Sequence, residues 1–246
     1  MLAQAAEAHQ RGRQVYAQVT SNPISMEFTL ENAYLMGSHD AWLPLVGAAP
    51  EKIAEAIKDP AFREAFRAGL SAPKPQKIFY GDWSRVQVAE VMSPDHRDIE
   101  GETIGAMAER AGKDPIDFFF DLGLAEDLKT VFVAQMQNFD EDAVEKMIKH
   151  PASVLALSDA GAHLSFLCDA GNALYLLSRW VREKESLTLE EGIRQLTSDQ
   201  ADHYGIIGRG RVREGNFADL FMFDPATVGI SKPRRSSKID ATIESI

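Results

Sequence analysis

Apolar and polar residues alternate along this chain in two distinct rhythms, and the rhythm changes at almost every proline or glycine. Leu2, Ala5, Ala6 and His9 fall on one helical face, and Gly12 is placed to stop that helix. Val15 to Val19 then reads as a short strand closed by Thr-Ser-Asn-Pro. The stretch from Ser25 to Ala49 shows aromatics and prolines without a sustained period and is expected to be a structured loop. Helices follow at 51–58 and after Asp59-Pro60, the second striped by Phe62, Phe66 and Leu70. Beyond Pro73 and Pro75, KIFYGDW reads as a strand and SRVQVAEV continues extended to Met92.

The second half repeats the alternation. A helix at 102–111 ends at Gly112, and Asp114-Pro115 opens another through IDFFFDLGL. TVFVAQM is a strand, Asp140 caps the helix DEDAVEKMIKH, and VLALSD is the next strand. Helices are expected at 171–184, at 188–197 with Thr188 and Glu191 forming a capping box, and from Ser198 to Gly205. Strands alternating with helices, several of the strands apolar throughout, predict an α/β fold with a parallel sheet. The last forty or so residues differ: Gly208-Arg-Gly210 reads as turn chemistry, and GRGRVREGNFADLFMFDP as a Gly/Asn turn and then a strand, with no helix after it. A complete barrel of eight strand–helix units does not fit, because only three or four such units can be counted in 246 residues.

Composition narrows the function classes. Hydrophobic residues make up 45%, so a sizeable core is available. A formal net charge of −11 leaves no basic surplus for nucleic acid or an anionic membrane. The basic stretch Lys232–Lys238 reads as a solvated terminus. The single cysteine, Cys168, excludes an internal disulfide, and no long apolar run or leader-like start is present, which suits a soluble cytoplasmic protein.

Chemistry concentrates at LALSDAGAHL. Asp159 stands where an apolar strand ends, the position from which parallel α/β proteins direct groups into their ligand crevice. A carboxylate there can accept the proton of an activated water, or it can simply cap the Ser158-Asp159 turn. Four residues on, His163 could contact substrate or a metal. The remaining histidines, at 9, 39, 96, 150 and 203, form no His-x-His or His-Glu-x-x-His arrangement. Glycine-rich phosphate loops and the Gly-x-Ser-x-Gly elbow are also absent.

Two passages, HPASVLALSDAGAHL and the run SLTLEEGIRQLTSDQADHYGIIGRGRVREGNFADLFMFDPATV, resemble the amidohydrolase superfamily, closest to its D-aminoacylase branch (N-acyl-D-amino-acid deacylases). The resemblance implies that residues 1–205 are the C-terminal portion of a TIM-like (β/α)8 barrel, about its sixth strand to its eighth with the helices that follow. Residues 206–246 would then be a partial β-rich element in which a strand returns to a small β-sandwich domain. Asp159 matches the eighth-strand Asp that the family uses as general base on metal-bound water, and as a possible metal ligand. Ser158 and His163 would contact the substrate. The implied cofactor is a divalent metal, zinc in the first instance, and the implied substrate a small-molecule amide. Two departures stand out: no early-strand His-x-His pair is present, with Gln18 and Thr20 where some relatives ligate metal. The segment LCDAGNA also lacks the Arg of the family's His-Pro-x-Arg element. The resemblance therefore implies a hydrolase of non-peptide C–N bonds, with this chain inactive by itself. Two other readings stay open: an interaction subunit completing a barrel with another chain or as a homo-oligomer, and a metal-free α/β enzyme using Asp159 and His163.

Overall fold

The computed structural model describes residues 2–73, 77–156 and 171–230. The chain divides into two compact units, residues 1–170 and 171–246.

The first unit begins with helix α1 (Leu2–Gln10) and strand β1 (Ala17–Val19). β1 pairs in parallel with β5 (Ser153–Leu155), Ala17 opposite Ser153 and Val19 opposite Leu155. Nothing stands between the two strands. This is the parallel element that the alternation of apolar runs predicts.

Between them the chain builds a different sheet. Strands β2 (Ile24–Phe28), β3 (Val86–Glu90) and β4 (Val131–Gln137) order as β2-β4-β3, and both pairings are antiparallel. The expectation of a parallel sheet holds for β1 and β5 and is corrected for these three strands. β4 is apolar because it is the central strand, and a short apolar run carries no information about strand direction. β2 lies inside the stretch expected to be a loop; its sequence, ISMEF, is too short and too mixed to show a period. KIFYGDW is not a strand: Trp83–Arg85 forms a single 3-10 turn, and Phe79 and Trp83 are buried as packing groups.

The helices of this unit follow their sequence signals closely. α2 (Pro50–Lys58) and α3 (Pro60–Ser71) both start on proline, and the Asp59 carboxylate accepts from the Ala61 N–H at 2.9 Å. α4 (Ile104–Ala111) is capped by Thr103 and closed by Gly112 at φ +61. Asp114 caps α5 (Pro115–Ala125), and Asp140 caps α6 (Glu141–Ile148). The principal core runs from Phe28 to Ala134 and lies wholly in the segment between β1 and β5. Its centre is aromatic: Trp42 stacks on Phe120 with centroids 6.2 Å apart, and Phe119 meets Trp83 at 4.9 Å and Phe132 at 4.8 Å. Each such ring contributes about 1.5–3 kcal/mol by burial alone.

The second unit contains α7 (Asn172–Tyr175), which runs into a π-helical segment, Leu176–Glu183. It also contains α8 (Leu189–Leu196) and α9 (Ser198–Tyr204). The Thr188–Glu191 capping box is formed in both directions. Gly208 and Gly210 both adopt φ +76, consistent with turn chemistry. The strand expected through Ala218–Phe223 does not form among the described residues. A strand needs a neighbour for its N–H and C=O groups, and none is supplied there.

Candidate functional site

Parallel strands gather ligand-binding groups at their carboxyl ends, so the place to build from is the point where β1 and β5 finish. The Ala156 N–H donates to the carbonyl of Val19 at 2.8 Å, which holds the two strand ends side by side. Asp159 and Ser158 follow β5 in sequence but lie, with His163 and Cys168, outside the described residues.

The β1 side of this edge is polar and buried. Thr20, Ser21 and Asn22 are each at most 7% exposed. The Thr20 hydroxyl donates to Asn22 Oδ1 at 2.7 Å, and Asn22 Nδ2 donates to the carbonyl of Pro23 at 3.0 Å. Asn138, just past β4, adopts φ +56 and donates from Nδ2 to the Asn22 carbonyl at 3.4 Å. The segments leaving β1 and β4 are thereby clasped together at one end of the parallel pair. This cluster is neutral. These hydrogen bonds close on the protein itself, and the cluster provides no acid or base of its own. The sequence signal was visible as Thr-Ser-Asn-Pro directly after a strand, and reads equally well as a turn. Of the two residues noted where some relatives carry a metal ligand, Thr20 is buried in this cluster and Gln18 is exposed.

The described histidines have other work. His9 packs edge-on against Tyr16, and His39 is buried against Phe66 with centroids 5.3 Å apart. His150 Nδ1 accepts from the Ala152 N–H at 3.0 Å, and His203 Nδ1 contacts the Asp199 carbonyl. His96 Nδ1 meets Glu126, whose side chain is completely buried. Burial pushes the Glu126 pKa up. The Ser93 N–H, the His96 ring and the Met92 N–H outweigh it and leave that carboxyl below the usual range. Among the described residues no group of three or more His, Cys, Asp or Glu could hold a metal ion. Also among the described residues, no helix is long and apolar enough to cross a membrane.

Comparison with known proteins supplies the family. Residues 55–244 match the model of an amidohydrolase family. The chain belongs to the amidohydrolase family. An uncharacterized protein of Mycobacterium tuberculosis is 28% identical over 178 residues, which covers 70% of this chain and 28% of that protein. N-acyl-D-glutamate deacylase of Alcaligenes xylosoxydans xylosoxydans is 29% identical over 140 residues, 55% of this chain and 27% of the deacylase. The chain therefore spans about a quarter of the length of these relatives. Among solved structures, the N-acyl-D-glutamate deacylase of Bordetella bronchiseptica, complexed with zinc and a phosphonate inhibitor, aligns at 22% identity with a TM-score of 0.46. That alignment covers 93% of this chain and 37% of the deacylase. The amidohydrolase match includes the LALSDAGAHL segment and nearly the whole second unit.

Proposed function

We propose that this amidohydrolase chain carries the proton-transfer part of a hydrolase for non-peptide C–N bonds in small amides, of the D-aminoacylase kind. Asp159 is its general base, with Ser158 and His163 at the substrate. The family match across residues 55–244, which includes Asp159, is the observation that carries this reading. The parallel pairing of β1 with β5 supports it, because Asp159 follows β5 by four residues.

Asp159 takes a proton from the attacking water and returns it to the departing nitrogen, so that one carboxylate serves as base and then acid. The neutral Thr20–Asn22 cluster borders the end of β1 and holds that strand end in place. A divalent metal, zinc in the first instance, would supply polarisation of the amide carbonyl. Among the described residues no group of three or more candidate ligands stands ready to hold it.

A second role, association with a polypeptide that supplies the remainder of the barrel, is favoured by one observation. Ile207, Val212 and Met222 are 91%, 89% and 96% exposed, with Phe221 at 74%. Large apolar side chains left bare in one short stretch suit a surface that another chain covers.

Metal analysis and an activity assay test both statements together. The purified chain alone is expected to hold no stoichiometric zinc and to leave N-acetyl-D-glutamate intact. Mixed with a fragment comprising the rest of a full-length N-acyl-D-glutamate deacylase, it is expected to acquire both. Tight zinc and deacylase activity in the isolated chain would rule out the need for a second polypeptide; their absence from the mixture would rule out the deacylase.

A further inference from the structure

The segment between β1 and β5 holds a cavity of about 360 Å³ that is separate in composition from the polar strand-end cluster. Its floor is made by Leu30, Trp42, Leu45 and Ile78. Its rim is apolar too: Tyr34, Leu43 and Val46 are 54%, 59% and 61% exposed and all line this one opening. Exposed apolar side chains scattered singly need no explanation, but three converging on a concave surface of ligand size do.

The polar part of the lining is one-sided. Ser38 is occupied by the protein, donating to the Leu35 carbonyl at 3.3 Å and accepting from the Ile78 N–H at 3.2 Å. Glu31 and Asn32 are exposed at the edge, and among the described residues of the lining the ionisable side chains are the Glu31 carboxylate and the Tyr34 phenol. The nearest lysine in sequence, Lys77 beside Ile78, is not part of the lining. Its ammonium is committed to the carbonyls of Gly69 at 2.7 Å and Leu70 at 3.0 Å. Lys52 donates to the Pro44 carbonyl at 3.5 Å.

We propose that this cavity is a binding site for a small amine with an apolar body, such as a single aromatic ring on a short ammonium-bearing chain. The body fills the floor against Trp42, and the ammonium lies at the rim against Glu31 and Asn32. A carboxylate of the same shape is disfavoured, because among the described residues the lining carries the carboxylate of Glu31 and no Lys, Arg or His. The site does not depend on the hydrolase reading.

Binding of 2-phenylethylamine and 3-phenylpropionate to the full chain, measured by calorimetry and by Trp fluorescence, tests this. The amine is expected to saturate at one per chain and to bind about tenfold tighter than the carboxylate, a difference of about 1.4 kcal/mol. Glu31→Gln is expected to bring the two affinities together, and Val46→Trp, at an exposed rim position, to abolish binding of both with the melting temperature unchanged. Absence of saturable amine binding, equal affinity for the two probes, or binding that survives Val46→Trp overturns the proposal.

Discussion

The N–H of Ala156 reaches the carbonyl of Val19 at 2.8 Å, so the ends of two strands more than 130 positions apart in sequence lie hydrogen-bonded side by side. Everything in the principal core is formed by the chain that runs between these two residues. The parallel pair is consequently a seam, and the antiparallel sheet with α2–α5 is a module set into it. Residues 24–137, produced alone, are expected to unfold cooperatively in urea, as a single hydrophobic core does. A broad, non-cooperative loss of circular dichroism would show that the module depends on β1 and β5.

Within that module Phe119 touches Phe28, Trp83, Phe120 and Phe132 and is fully buried. Phe119→Ala is expected to cost about 3–5 kcal/mol, read from the denaturation midpoint at unchanged slope. A loss below about 1 kcal/mol would mean that the aromatic cluster repacks freely.

Gly105 in α4 has no room for a side chain. A Cβ there would stand 3.0 Å from the Ser84 nitrogen and 3.1 Å from the Trp83 carbonyl carbon. Both are backbone atoms and cannot rotate away. Although alanine favours helices, Gly105→Ala is expected to destabilise by about 1–3 kcal/mol, because overpacking exceeds the propensity gain. A higher melting temperature would contradict this close approach.

Glu126 makes stability depend on acid. Burial opposes its ionised form, but the Ser93 N–H, the His96 ring and the Met92 N–H overcome that and lower its pKa in the folded state. A lowered carboxylate pKa contributes stability above the unfolded value of about 4.3, and that contribution is lost as pH falls through the folded value. Urea midpoints are expected to fall between pH 5 and pH 3 in the parent, and less steeply in Glu126→Gln, which should also lose about 1–3 kcal/mol at pH 7. Parallel pH profiles for the two proteins would remove Glu126 from this role.

The sequence made the helices of the first unit legible because each carries its own stop and start: Asp59-Pro60, Asp114-Pro115, Thr103 with Gly112, and Asp140. It did not reveal the sheet. β2 is five residues long with every position but Phe28 half-buried, so no alternation marks it. β4 is apolar for reasons of centrality that periodicity cannot separate from parallel pairing. The strand expected at Ala218–Phe223 has the right residue types and no partner among the described residues, and strand formation is a property of pairs. At the candidate site, Asp159, Ser158 and His163 were singled out by position and resemblance and lie outside the described residues. Thr20, Ser21 and Asn22 could not be told from a turn, because a buried hydrogen-bonded cluster and an exposed Thr-Ser-Asn-Pro turn share one sequence.

The most direct measurement is the rate of N-acetyl-D-glutamate hydrolysis, with zinc present, by the chain combined with a fragment supplying the rest of a full-length deacylase. Parent and Asp159→Asn chains are compared at equal secondary-structure content. Hydrolysis by the parent mixture, reduced about 10²–10⁴-fold by Asp159→Asn, is the expected result for a general base. Equal rates for the two chains would contradict the assignment of Asp159 as the base.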